Sequence, residues 1–236
     1  ETREFISKYD GVDGFNLYGF ERFISQFISD NYPEDQIEFD ISKIKLVTID
    51  IETKSENGFP DVESASEEIL LVTIQDYTTK EIITWGTKSF NNTHNNVDYR
   101  LCNDEHHLLN SFIQWWIENT PDVVTGWNTE FFDIPYLINR VTKVLGEDRA
   151  KEFSPWGLIS SRTVYNHGRN QQVYDITGVA NLDYLDIYKR FCLKLRESYK
   201  LDAIGELELG QKKIDYEGMA LHELADQDWN KFIDYN

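Results

Sequence analysis

Apolar residues at Phe20, Phe23, Ile24, Phe27 and Ile28 recur every three or four positions within Phe15–Tyr32, the spacing of one amphipathic helix. The acidic stretch PEDQIEFD (Pro33–Asp40) reads as a connector into a strand over Ile44–Asp50, where Leu46, Val47, Thr48 and Ile49 make a short, partly β-branched run. EILLVTIQD (Glu68–Asp76) and KEIITW (Lys80–Trp85) predict two further strands, joined as a hairpin by the turn-like YTTK. After a polar, Asn-rich loop, Asp104 is placed to cap a helix over Glu105–Asn119 whose apolar side carries Leu108, Leu109, Phe112, Trp115 and Trp116. A short strand, Asp122–Thr125, ends at Gly126. Asp133 then opens a helix with Pro135 in its first turn, where the missing N–H costs little. RTVYNHGRNQQVYDI (Arg162–Ile176) predicts a hairpin around Gly168, with helical segments from there to Asn236. Strand, hairpin, helix, strand, helix is an α/β pattern with a mixed sheet.

Composition narrows the classes. A chain of 236 residues fits one large domain, or one domain plus part of another. Hydrophobic residues at 40%, with 14 Phe, 13 Tyr and 6 Trp, suffice for a packed core and exclude a disordered chain. The net charge of −19 argues against a basic nucleic-acid-binding surface, so any DNA-binding reading has to overcome it. Cys102 and Cys192 stand far apart with no C-x-x-C, which points to neither a zinc ribbon nor a disulfide framework and makes a reducing compartment the default. No apolar run approaches a membrane span and no signal peptide opens the chain. The first residue is Glu1, so the chain is read as a fragment of something longer.

Several apparent motifs fail. GELELGQK (Gly205–Lys212) nearly spells a phosphate loop, but Gln211 separates the glycine from Lys212 and no Ser or Thr follows. HELAD begins at His222 like a zinc-protease helix, yet Asp226 stands where the second His is needed. His106 and His107 cannot share one helix face, and Trp115–Trp116 reads as core. D-x-E occurs three times, at Asp50–Glu52, Asp61–Glu63 and Asp215–Glu217, and only the first follows a strand. Alternate strand residues face one side, so Asp50 and Glu52 point together while Ile51 points away. Carboxylates that close repel unless a cation lies between them or one is protonated. Taken alone, the tripeptide reads first as a strand running out into solvent.

A second signal shifts that reading. TGWNTEFFDIPYL sets Asn128 five residues before Asp133, with Phe132 next to the acid, beyond the end of another strand. Asp133 on its own could simply cap its helix. TIDIET and, some eighty residues on, N-x-x-x-F-D together resemble the first two exonuclease motifs of family B DNA polymerases. GFPD, GWNTEFFDIPYLINRV, FSPWG, LDYLDIYKRF and KIDYEG extend the resemblance, toward the replicative polymerases of T-even-like bacteriophages, over most of residues 43–236. Residues 1–42 are then expected to be the tail and connector of a preceding amino-terminal domain, packed as part of a larger unit.

The resemblance implies a ribonuclease-H-like mixed sheet flanked by helices, the DEDD exonuclease fold, and a proofreading 3′→5′ exonuclease using two divalent ions, Mg²⁺ or Mn²⁺. Asp50 would bridge both ions, Glu52 would hold the one that activates water, and Asp133 would support the second. Asn128 would order its loop at the DNA-binding site. Phe59 in GFPD matches a family aromatic that stacks on an unpaired base, against the alternative of a packed loop anchor. Lys213 in KIDYEG matches a lysine near the frayed strand, against a solvated lysine. The implied partners are a single-stranded DNA 3′ end, polymerase domains and, through them, a sliding clamp; the implied location is the cytoplasm, that of the bacterial host for a phage-encoded chain. Binding only a few frayed nucleotides through metal and stacking would reconcile the acidic charge with DNA.

The family's third motif is Tyr-x-x-x-Asp on a helix. WNKFIDYN puts Tyr235 where its tyrosine belongs, as an expected catalytic residue, and the acid would fall three residues past Asn236. Very low nuclease activity is therefore expected of these 236 residues alone. Two other readings stay open: a non-catalytic ribonuclease-H-like module that binds single strands or polymerase domains, and a free-standing DEDD exonuclease.

Overall fold

The computed structural model describes residues 2–16, 23–32, 38–55, 58–166, 168–212 and 221–236. The chain divides into two compact units, Glu1–Ile41 and Ser42–Asn236. The first carries helices α1 (Thr2–Tyr9) and α2 (Phe23–Asn31). Of the helix expected over Phe15–Tyr32, Phe23–Asn31 is helical, Phe15 lies outside any helix and stacks on Tyr9, and Phe20 lies outside the described residues.

The second unit is built on eight strands among the described residues: β1 (Leu46–Thr53), β2 (Ile69–Asp76), β3 (Ile82–Gly86), β4 (Val97–Leu101), β5 (Val123–Gly126), β6 (Ile159–Asn166), β7 (Arg169–Ile176) and β8 (Ala180–Asp183). Six form one mixed sheet in the order β4-β3-β2-β1-β5-β8, while β6 and β7 pair separately as a hairpin. β1–β2 and β2–β3 are antiparallel; β3–β4, β1–β5 and β5–β8 are parallel. Helices follow the strands: α3 (Glu105–Asn119), α4 (Asp133–Leu145), α5 (Glu147–Lys151), α6 (Tyr184–Phe191), α7 (Leu201–Leu209), α8 (Leu221–Gln227) and α9 (Trp229–Tyr235). The mixed sheet is the one the α/β pattern predicted, and with its flanking helices it is the ribonuclease-H-like fold the resemblance implied. No helix among the described residues is long and apolar enough to cross a membrane.

Two layers of apolar side chains hold the sheet. On one face, Val47, Ile49 and Ile51 of β1 pack with Leu108 and Phe112 of α3 and Leu137 and Val141 of α4. Trp85, Phe112, Trp116 and Phe153 meet edge-on or tilted, and Trp116 donates its indole N–H to the Phe153 carbonyl at 2.9 Å. Leu71 faces a smaller cluster made by Leu224, Trp229, Phe232 and Ile233 of α8 and α9.

Three expectations need correction. The strand over Ile44–Asp50 runs on to Thr53, because antiparallel pairing of Asp50 with Thr73 and Glu52 with Leu71 carries the ladder past the acids. The Asn-rich loop contains β4, held by parallel pairing to β3. Residues read as helical after the hairpin include β8, where parallel pairing with β5 overrides the weak strand propensity of Ala-Asn-Leu-Asp.

Candidate active site

The acids of β1 lie on the sheet face opposite the larger core. Val47, Ile49, Ile51 and Thr53 are buried, whereas Asp50 and Glu52, the intervening pair, are half-exposed. Leu71, opposite Glu52 in the ladder, is the anchor on which α9 packs through Trp229, Phe232 and Ile233. That packing carries the end of α9 to Asp50. The Asn236 amide donates through Nδ2 to Asp50 Oδ2 at 3.0 Å, and its Oδ1 accepts from the Thr73 hydroxyl. Thr73 is the residue facing Asp50 across the ladder.

The second segment approaches β1 through its backbone. A Cβ on Gly126 would lie 2.5 Å from the Ile49 carbonyl oxygen and 2.6 Å from Thr129 Cγ2, so only glycine fits there. Asn128 sits at φ +70°, a left-handed conformation that Asn tolerates better than most residues, and its carbonyl accepts from the Phe131 and Phe132 N–H groups. The buried Asp183 carboxylate fastens the turn, accepting from the N–H groups of Asn128 at 3.0 Å and Glu130 at 3.1 Å while also capping α6 at Leu185. Asp133 emerges from this turn only 2% exposed, and its Oδ1 accepts the Ile51 N–H at 3.2 Å.

The electrostatics follow from that placement. Burial pushes the Asp133 carboxyl well above the usual carboxylate range. The charge of Asp50 adds to this, the N–H bonds from Ile51 and from its own backbone oppose it, and Glu52 raises it further. Asp50 and Glu52 are thus both within electrostatic reach of Asp133, and both disfavour its ionisation.

Phe59 is 77% exposed and tilted against Phe132, ring centroids 5.0 Å apart. Its loop is fixed further along by one face of α4. Tyr136, Asn139, Arg140 and Lys143 donate to the carbonyls of Glu67, Val62, Ala65 and Ser66, and Ser64 respectively. These positions are three, four and seven residues apart, which aligns them on one helix face. Tyr235 is the last residue of α9 and half-buried. Lys213 lies outside the described residues. Asn236, Thr73 and Asp183 were not singled out from sequence. Nothing marks the first two locally, whereas Asp183 directly before YLDIYKRF carries the ordinary signature of a helix cap.

Among the described residues no group of three or more His, Cys, Asp and Glu side chains is gathered as a metal-binding cluster. In donor chemistry the acids still fit a hard divalent cation, which takes oxygen ligands. A buried carboxylate opposed by two others is in the situation that a cation relieves.

Comparison with known proteins adds an independent finding. A profile of the DNA polymerase family B exonuclease domain matches residues 23–204. The DNA-directed DNA polymerase of Escherichia phage RB69 is 28% identical over 263 residues, covering 100% of this chain and 29% of the relative. That of Enterobacteria phage T4 is 28% identical over 261 residues, with the same coverage. The DNA polymerase of Thermococcus litoralis is 28% identical over 179 residues, 72% of this chain and 9% of the relative. The chain spans 29% of the length of the two phage relatives.

Proposed function

The chain belongs to the exonuclease domains of family B DNA polymerases, and from that premise we propose that it is the proofreading part of a DNA-directed DNA polymerase, hydrolysing the 3′-terminal phosphodiester of single-stranded DNA. The observation that carries the reading is the buried Asp133 carboxylate, whose Oδ1 accepts the N–H of Ile51, the residue between Asp50 and Glu52 on β1. Asp50, Glu52 and Asp133 would hold two Mg²⁺ or Mn²⁺ ions, which supply a lowered pKa for the attacking water and offset charge on the leaving 3′ oxygen. Asp50 and Glu52 are held by the β1–β2 ladder, so their carboxylates keep one spacing as the substrate arrives. Asn128 and Asp183 order the turn that delivers Asp133. Phe59 offers a ring face for an unpaired base, a contact worth about 1–3 kcal/mol in single-strand binding. Tyr235 orients the attacking water from the end of α9, and Lys213 contacts the frayed strand. Residues 1–42 are the tail and connector of the preceding domain, and the partners are the polymerase domains and, through them, a clamp.

The test separates binding from turnover. Mn²⁺ should raise the melting temperature of the 236-residue chain, and the rise should vanish in Asp50→Ala. Shortening of a 5′-labelled single strand from its 3′ end, however slow, should vanish with it. An Mn²⁺ shift unchanged in Asp50→Ala rejects the assignment of the acids.

A further inference from the structure

One row of side chains crosses three strands at the acids. Asp50 of β1 stands opposite Thr73 of β2, and Thr73 stands opposite Thr84 of β3. The Thr73 and Thr84 hydroxyls lie 3.0 Å apart. Asn236 caps the end of α9, where its backbone N–H donates to the Phe232 carbonyl at 3.2 Å. Its carboxamide touches both Asp50 and Thr73 of the row.

The chemistry of these groups fixes the direction of every bond. An ionised carboxylate only accepts, so the amide nitrogen of Asn236 faces Asp50 Oδ2 at 3.0 Å and its oxygen faces Thr73. The Thr73 hydroxyl has one proton and gives it to Asn236, so the bond between the threonines runs from Thr84 to Thr73. Donation therefore passes from Thr84 through Thr73 and Asn236 to Asp50, and bonds aligned in this way polarise one another. Thr84, where the series starts, is buried, which keeps water from competing for its hydroxyl.

Residues far from the acids hold the carboxamide in place. Segment 88–94 clasps α8 and α9. Lys88 Nζ donates to the Ala225 carbonyl at 2.8 Å, the Asn91 N–H donates to Asn230 Oδ1 at 2.8 Å, and His94 Nε2 lies 3.0 Å from Asp234 Oδ1. Trp229 and Phe232 pack with Leu71 of β2. Together these contacts set where α9 meets the sheet, and so where the Asn236 amide points. A carboxylate offers about four acceptor sites on its two oxygens, of which the Asn236 amide takes one.

We infer that Asn236 is a positioning residue which, with Thr73 and Thr84, fixes the Asp50 carboxylate in the orientation that receives a divalent ion. The inference rests on the metal-binding reading of the acids above and adds to it the groups that aim one of them. Removing a partner that hydrogen-bonds a metal-binding side chain weakens the metal by about 10–100-fold.

The experiment titrates the metal-free 236-residue chain with Mn²⁺ and reads the unbound ion by electron paramagnetic resonance. Asn236→Leu, which keeps the size of the side chain and removes its donor, should weaken binding about 10-fold or more. Thr73→Val should weaken it about threefold or more, whereas Thr73→Ser, which keeps the hydroxyl, should stay within about twofold of wild type. The double variant Asn236→Leu/Thr73→Val should bind within about twofold of Asn236→Leu, because the hydroxyl acts only through the amide; two independent losses would multiply. Melting curves in EDTA show whether each variant is folded at the titration temperature, and Asn236→Leu decides alone if Thr73→Val is not. Unchanged or tighter binding in Asn236→Leu, multiplied losses in the double variant, or equal losses in Thr73→Val and Thr73→Ser each overturn the inference while Asp50-dependent Mn²⁺ binding stands. A wild-type chain with no Asp50-dependent Mn²⁺ binding overturns the acid assignment and this inference together, so the two failures are distinguishable.

Discussion

Removing the Arg140 guanidinium should cost the second unit more than any other single surface-distant polar change described above. Arg140 is 7% exposed and meets Glu105 bidentately, Nε to Oε1 at 2.7 Å and Nη2 to Oε2 at 2.6 Å. Its Nη1 donates to the carbonyls of Ala65 and Ser66, each at 3.0 Å, and Glu105 Oε1 also accepts the Ile69 N–H at 2.7 Å. Arg140→Met fills much of the volume but leaves a nearly buried carboxylate with one N–H and two loop carbonyls without a donor. Breaking a buried pair from one side costs about 3–5 kcal/mol. At about 2–4 °C per kcal/mol for a domain of this size, the melting temperature should fall by about 6–20 °C. Glu105→Gln alone should cost a comparable amount, because it strands the cation. The double variant Arg140→Met/Glu105→Gln should recover much of the loss, since Gln can still accept the Ile69 N–H and no charge remains buried. Urea unfolding followed by tryptophan fluorescence measures all three, with Trp85 and Trp116 in the core reporting the transition. Losses below about 1 kcal/mol in either single variant, or additive losses in the double, would refute the reasoning.

Other consequences can be checked in the same way. Asp133→Asn should raise the melting temperature in EDTA by about 2–4 °C, equivalent to about 1 kcal/mol, because it removes a buried charge while keeping an acceptor for Ile51. The sign with pH follows from the raised folded-state pKa. The Asp133 contribution is complete below its ordinary value of 3.8 and is lost as pH rises through the elevated one, so wild-type stability in EDTA should decline over that window; a slope unchanged in Asp133→Asn counts against it. Gly126→Ala forces a Cβ to within 2.5 Å of the Ile49 carbonyl and should cost about 1–3 kcal/mol, read as a lower urea midpoint; an unchanged midpoint would mean β1 yields freely. The two thiols should react unequally with a disulfide reagent at neutral pH. Burial pushes buried Cys102 up to about 11, whereas a hydrogen bond with Tyr188, followed by the Lys194 backbone, holds Cys192 below its ordinary value. Peptide mapping after partial labelling should find Cys192 modified first.

What could be foreseen from sequence is what local chemistry encodes. The β2–β3 hairpin, the Asp104 cap of α3, realised as an acceptor for the His107 N–H, and the turn at Gly168 are written within a few residues. The shared face of Asp50 and Glu52 follows from strand alternation alone. β4 and β8 were missed because their pairing partners are β3 and β5, set by parallel register rather than by their own residues. Asn236 at Asp50 could not be seen at all, since 186 residues separate them and an asparagine beside a tyrosine carries no signal. The suggestion that these acids bind metal came from resemblance; spacing alone could not separate it from a strand running into solvent.

The contacts around Asp50 and Ile51 close loops of very different length, and this has a kinetic consequence. Asp50 meets Thr73 across a short antiparallel pair, Ile51 meets Asp133 over 82 residues, and Asn236 reaches Asp50 over 186. Long-range closure must offset its entropy before its contacts reward it, so the β1–β2 pair can form early while the Asp133 turn and α9 dock later. The contacts of Asp133 and Asn236 are thus the ones whose closure is entropically most expensive, and the paired strands β1 and β2 do not depend on them. In native-state hydrogen exchange, amides of α9 should open at lower free energy than those of Ile49 and Ile51, and each such opening exposes Asp50 without unfolding the sheet that holds it.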